Sequence, residues 1–219
     1  MSGLVILGAG GHGRSLVELL RALGGWDLVG LVDGAPPAGP VLGVPVLGDE
    51  AVLPGLWAAG VRQAVIAIGN NAARLAAAER LRALGFGFPS LVHPSAVLAG
   101  SARLGQGVVV LPRVVLGAGA RVGDFAILNS GCIVEHDADI GAGAHVAPGA
   151  VLPGHVTVGA RALLGAGCCC VVGAKIGADA VVGAGAAVTQ EVPAGATVGG
   201  VPARVLGAGQ SELHFQKDR

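Results

Sequence analysis

The chain contains no tyrosine, two tryptophans, four phenylalanines and one methionine in 219 residues. Apolar residues nevertheless reach 53%, so the buried parts must be built from small aliphatic side chains in many similar places. Net charge is absent too. Fourteen basic and 14 acidic residues cancel, which removes the electrostatic case for nucleic acid or an anionic membrane as a partner. Every long apolar run is interrupted by Gly, Pro or a charge, so none is a clean membrane span. The first residues lack the basic region and cleavage pattern of a signal peptide, and the expected location is the cytoplasm. The four cysteines, Cys132, Cys168, Cys169 and Cys170, form no C-x-x-C pair, which argues against a zinc or redox motif. Glycine is abundant, at 40 residues, without the every-third-residue period of collagen.

What is present falls into two halves with different periods. Up to about residue 90 the chain reads as alternating strands and helices. Residues 4–7 form an apolar run ahead of a glycine loop. Leu16, Leu19, Leu20 and Leu23 then have helical spacing. Residues 28–32 and 64–68 read as further strands, and residues 72–84 as an Ala/Leu/Arg-rich helix. This alternation predicts a small parallel sheet with helices packed on it. Gly8, Gly10 and Gly13 fit G-x-G-x-x-G, and Asp33 follows 20 residues after the last of them. Alone, that pattern is a dinucleotide fingerprint and points to NAD. The same loop, with its backbone N–H groups at a helix start, suits any diphosphate. The domain is also well short of a two-lobed NAD fold.

From Leu98 every sixth residue through Val188 is Leu, Ile or Val, in 15 of 16 cases, with Cys170 the exception. The residue four further on is always Ala, Val or Cys, and the next position after each aliphatic is Gly in eight of 16. Neither a helix nor a hairpin has a strict period of six. A solenoid with a narrow core does, with the aliphatic and the small residue pointing inward and Gly or polar residues at the corners. Cys132, Cys168 and Cys170 fall on inward positions, and Cys169 should face out.

One stretch breaks the monotony. Residues 129–145, "NSGCIVEHDADIGAGAH", carry Asn129, Glu135, His136, Asp137, Asp139 and His145. His136 and Asp137 occupy corner positions, and a His–acid pair is suited to proton transfer near neutrality.

Over roughly residues 3–205 the chain resembles the PglD/NeuD-like nucleotide-sugar acetyltransferases, hexapeptide-repeat acyltransferases with a left-handed parallel β-helix. The resemblance is carried by "GAGGHG" (residues 8–13), "IGNN" (68–71), "HPSA" (93–96), N-x-x-x-x-x-E-H from Asn129 to His136, "IGAGAHVAPGA" (140–150) and "GVPAR" (200–204). It implies three hexads per coil, so residues 18 apart stack, and 16 hexads give about five coils. The implied organisation is a Rossmann-like nucleotide-sugar-binding domain (residues 1–92), a β-helix acetyltransferase domain (93–205) and a polar tail (206–219). The left-handed turn is implied by the family alone, since general crossover rules favour the opposite hand.

The implied activity is acetyl-CoA-dependent N-acetylation of a nucleotide-activated amino sugar of the UDP-4-amino-sugar type, by a homotrimer with active sites between subunits. The catalytic set is His136 as general base, Asp137 supporting it, Asn129, and Gly154. Gly154 stacks on His136 one coil away and offers its N–H to an oxyanion. Gly10, Gly11, His12, Asp33, Gly69 and Asn70 are expected on the nucleotide-sugar, and His145, Ala166 and Ala184 on acetyl-CoA. No metal is expected. The alternatives are O-acetylation of a sialic acid or other sugar hydroxyl, a zinc site of His136, His145 and His155, and a non-catalytic scaffold. Asp137 stands where the nearest relatives usually have Glu, and it also stacks on His155.

Overall fold

A computed structural model describes residues 3–206. The polar tail expected at the C-terminus therefore lies, from residue 207 on, outside the described residues. The chain divides into two compact units, with the boundary between Leu91 and Val92.

The first unit is a three-stranded parallel sheet in the order β2-β1-β3, where β1 is Gly3–Leu7, β2 Asp27–Val32 and β3 Val61–Ile66. Helix α1 (Gly11–Leu23) buries Leu16, Val17, Leu19 and Leu20, and α3 (Asn71–Ala83) buries Ala77, Ala78 and Leu81. Full burial of a Leu, Ile or Val side chain contributes about 1.5–3 kcal/mol, so these stripes hold the unit together. Helix α1 begins five residues before Leu16, the first residue of its apolar spacing, because the glycine loop runs straight into its first turn. Strand β3 begins and ends earlier than expected, with Val61 and Gln63 paired to Gly3 and Leu4. A short helix, α2 (Leu53–Ala58), was not visible in the pattern; six residues are too few to display a helical period.

From Val92 the chain is a parallel β-solenoid of about six turns. Successive two-residue strands visit three sheets in rotation. Strand Ile127–Leu128 belongs to the first sheet, Ile133–Val134 to the second and Asp139–Ile140 to the third, and the cycle repeats with His145–Val146 in the first. Registers advance by 18 residues: Val110, Leu128, Val146, Leu164 and Val182 stack inward in one ladder. Leu104, Val122, Ile140, Val158 and Ile176 stack in another. Together with the small residues of the second series they form one continuous core. Cys132, Cys168 and Cys170 are buried in it and Cys169 is exposed, as the repeat predicts. Burial pushes the Cys132 thiol up to about 12.

The coil count exceeds the five read from the sequence, because both ends escape a strict period. Strand Leu91–Val92 precedes the first hexad. At the other end Val182 pairs with Val198, 16 residues on, so the last turn is two residues short and drops out of a six-residue count.

The three outward ladders differ. The second sheet presents Val97, Val115, Ile133, Val151, Cys169 and Ala187, an apolar stripe. The third presents Arg103, Arg121, Asp139, Thr157 and Lys175.

Candidate active site

In the first unit the glycine loop is held from below. Gly13 packs so closely on the residue that follows β1 that a Cβ there would collide with the Gly8 carbonyl oxygen, and a Cβ on Gly8 would lie 2.6 Å from the Ala67 oxygen. Asp33, at the end of β2, accepts the Ala9 N–H at 2.7 Å and the Ala35 N–H at 2.8 Å. It therefore clamps the loop backbone, a task its spacing alone did not reveal. Helix α1 opens at Gly11 with no side-chain cap and no acid in its first turn, which leaves its N-terminal N–H groups and positive dipole end suited to an anion. Asn70 caps α3 by accepting the Ala73 N–H at 2.9 Å.

Two features of this loop escaped sequence reasoning. Arg74 is buried and donates to the carbonyls of Ile68 (2.8 Å) and Gly69 (3.3 Å) and to Asn71 Oδ1 (2.8 Å), fixing the 68–71 turn from inside. The signal was available: Arg74 heads the buried i, i+3, i+4, i+7 stripe completed by Ala77, Ala78 and Leu81. His12 is the second. Its Nε2 is buried without a hydrogen-bond partner among the described residues. Burial, and then the nearby Arg74 charge, pull its imidazole down to about 4. His12 is thus neutral at pH 7, and any contact with phosphate or sugar is that of a neutral imidazole.

In the solenoid, His136 and Asp137 are the two turn residues joining strand Ile133–Val134 to Asp139–Ile140. Both are exposed. His136 Nδ1 lies 2.9 Å from Asp137 Oδ2. With the carboxylate ionised, Nδ1 carries the proton of that bond, and in the neutral form of the ring Nε2 then has the lone pair. The Asp137 carboxyl is held below its usual range, first by the hydrogen bond from His136 and then by the nearby His155, His136 and Arg121 charges. Gly154 lies against the ring: a Cβ there would sit 2.5 Å from His136 Cε1 and Nε2. The Gly154 N–H takes no part in the coil-to-coil hydrogen bonds among the described residues. His155 Nε2 is 3.9 Å from Asp137 Oδ2, and its ring stands edge-on to His136 at 5.1 Å.

The remaining predicted residues lie elsewhere on the prism. Asn129 Nδ2 is 3.1 Å from His145 Nε2, so Asn129 faces His145 and not His136. Ala166 and Ala184 are exposed and stack at the corner that also carries Asn129, between the first and second sheets. The His136 corner lies between the second and third. A three-histidine arrangement is not assembled: the potential ligand atoms that approach within 4.8 Å of one another among the described residues are those of His136, Asp137 and His155, without His145.

A three-sided parallel solenoid of hexads with a His–Asp corner defines a hexapeptide-repeat acyltransferase. The comparisons make the assignment narrower. Residues 3–81 match the PglD N-terminal domain family, and residues 155–190 the hexapeptide repeat of succinyl-transferase. Among solved structures, PerB from Caulobacter crescentus, in complex with CoA and GDP-perosamine, superposes with a TM-score of 0.90 at 43% identity, covering 94% of this chain and 98% of PerB. The acetyltransferase domain of PglB from Neisseria gonorrhoeae, in complex with acetyl coenzyme A, gives 0.87 at 37% identity over 94% and 99% of the two chains. A UDP-N-acetylbacillosamine N-acetyltransferase of Bacillus subtilis is 34% identical over 120 residues, 51% of this chain and 52% of that protein. The match thus spans about half the length of this curated relative. The chain belongs to the PglD/NeuD-like family of nucleotide-sugar acetyltransferases.

Proposed function

We propose that the protein transfers the acetyl group of acetyl-CoA to the amino group of a nucleotide-activated amino sugar, with His136 as general base. The observation that carries this reading is the His136–Asp137 pair, whose bonded Nδ1 leaves Nε2 free beside the side-chain-less Gly154. The sugar amine attacks as the neutral base, its ammonium form having first released one proton to solvent. His136 Nε2 takes a second proton from the amine nitrogen as that nitrogen bonds to the thioester carbonyl. The Gly154 N–H stabilises the oxyanion. Collapse breaks the C–S bond, and the proton passes from the imidazolium to the departing thiolate. Asp137 steadies the imidazolium between these steps.

The first unit supplies the nucleotide site. Gly10, Gly11, His12, Gly69 and Asn70 line the loop and cap that face a diphosphate, with Asp33 holding the glycine loop and Arg74 the 68–71 turn. His145, positioned by Asn129, and the exposed Ala166 and Ala184 receive acetyl-CoA.

Within one chain the His136 corner and the His145–Ala166–Ala184 surface sit on different edges of the prism, and the second sheet's outward stripe is apolar. A homotrimer that buries this stripe and sets one subunit's His136 beside the next subunit's acetyl-CoA surface satisfies both facts. Acetyl-CoA and nucleotide-sugars are cytoplasmic metabolites, and the reaction belongs there.

The test is thiol release from acetyl-CoA against UDP-, GDP- and CMP-linked amino sugars, with the product examined by mass and by hydroxylamine treatment. A hydroxylamine-stable acetyl group on nitrogen supports the reading. A labile ester identifies sugar O-acetylation instead, and no transfer to any acceptor overturns the assignment.

A further inference from the structure

Three residues stacked 18 apart, Gly119, Asp137 and His155, form one corner column, and all three have left-handed backbone, with φ of 72°, 56° and 60°. Glycine meets this requirement without strain at other corners, Gly131, Gly143, Gly149 and Gly167 among them, and at Gly173, the next member of this column; Arg113, Phe125, Arg161 and Asp179 also adopt it. The backbone accepts a histidine at 155 but does not ask for one: the His155 N–H bonds the His136 carbonyl at 3.0 Å just as the Gly173 N–H bonds that of Gly154. What sets this imidazole apart is what its ring meets.

It meets Asp137. The carboxylate has Gly119 on one side, where a Cβ would come within 2.9 Å of Oδ1. On the other side stands His155, with Nε2 3.9 Å from Oδ2, the same oxygen that binds His136 Nδ1 at 2.9 Å. This distance is longer than a hydrogen bond, so the ring flanks the carboxylate without being bonded to it. Arg121, whose charge also reaches this carboxylate, is engaged with Asp139 at 3.1 Å. An exposed carboxylate next in sequence to its partner has little to fix its rotamer, since such surface pairs are individually weak.

We propose that His155 is a positioning residue, which with Gly119 brackets the Asp137 carboxylate so that Oδ2 stays on His136 Nδ1 and His136 is held as the Nδ1–H tautomer with Nε2 unprotonated. This deepens the reading of His136 as the base and rests on it for its catalytic consequence. Its structural content is independent of any substrate. A free imidazole prefers the proton on Nε2, the nitrogen that must be bare to accept a proton from the amine. Losing the bracket therefore lowers the fraction of competent enzyme.

The experiment compares His155→Asn with His155→Gln in the full chain. Asparagine accepts left-handed backbone but is too short to flank the Asp137 carboxylate, whereas the longer glutamine side chain can. Ring ¹⁵N shifts of His136, measured without substrate above the pH at which the ring titrates, report the tautomer. The proposal predicts that His155→Asn moves His136 toward the Nε2–H form and lowers kcat about 10-fold with KM little changed, and that His155→Gln recovers most of both. Wild-type tautomer populations in His155→Asn overturn it. So do two variants equally impaired together with a lowered melting temperature, the mark of a merely structural role. If the wild-type protein transfers no acetyl group, the proposed function fails, while the tautomer measurement still decides the role of His155.

Discussion

The two units place their functional groups by opposite means. In the α/β unit the candidate nucleotide loop is backbone, and buried or half-buried polar side chains shape it from behind: Asp33 on Ala9 and Ala35, Arg74 on Ile68 and Gly69. In the solenoid the core is wholly apolar and repetitive, the backbone is set by coil-to-coil hydrogen bonds, and chemistry is added as side chains at the corners. A corner residue is therefore nearly free to change without cost to the fold. A loop-shaping residue is not, because its carboxylate or guanidinium holds the backbone of the loop itself.

That contrast yields expectations of decreasing size. His136→Ala should cut acetyl transfer by about 10²–10⁴-fold, with a melting temperature like that of the wild type, because the exposed ring packs no core. Ile140→Ala, four residues away on the inward ladder, should do the reverse, losing about 2–5 kcal/mol of stability in denaturant titration while folded protein keeps its turnover. Gly154 has ordinary backbone, so Gly154→Ala brings no φ strain. Its methyl would displace the His136 ring and should cost about 10²-fold in kcat, read in the same assay. In the other unit Asp33→Ala should loosen the glycine loop and weaken nucleotide-sugar binding about 10-fold by calorimetry, with acetyl-CoA binding unchanged. A loss confined to affinity, without any loss of stability, would blur the distinction between the units.

The smallest effect belongs to the exposed Arg161–Asp179 corner pair, bonded at 2.6 and 2.7 Å. Arg161→Ala should shift melting by no more than about 2 °C at pH 7. The Arg161 hydrogen bonds hold the Asp179 carboxyl below its usual range. A depressed carboxylate lends stability above its unfolded pKa and loses it as pH falls through its folded one. The small difference between wild type and variant should therefore vanish on strong acidification, as seen in melting curves taken down the pH scale.

How much was legible in the sequence follows the same divide. The six-residue period assigned nearly every inward side chain of the solenoid, including Cys132, Cys168 and Cys170, because a repeat supplies its own reference and any polar corner stands out against it. The 18-residue stacking also placed Gly154 on His136 and His155 on Asp137. What the repeat hid were the terminal turns, where Val182 pairs with Val198 two residues early, and the partner of Asn129, which depends on side-chain direction. In the α/β unit the strands and the two longer helices could be read from their apolar runs. The clamp by Asp33 and the neutral state of His12 could not, since each depends on contacts between residues distant in sequence or on burial, and no period marks them; the burial of Arg74 was marked only by its place at the head of the stripe of Ala77, Ala78 and Leu81.

The central claim is that a corner imidazole, bonded through Nδ1 to its neighbouring carboxylate, removes the proton from the attacking amine. The most direct test is kcat/KM for acetyl transfer as a function of pH, over about pH 6–9, for the wild-type protein and His136→Ala. The account predicts a wild-type rate that falls as acid protonates the base. It predicts a variant slower by about 10²-fold or more at the plateau, in which the limb owed to the imidazole is gone while acetyl-CoA affinity persists. A variant with near-normal turnover and an unchanged profile would contradict it, and would place the base elsewhere, with His145 or His12 next to be tested.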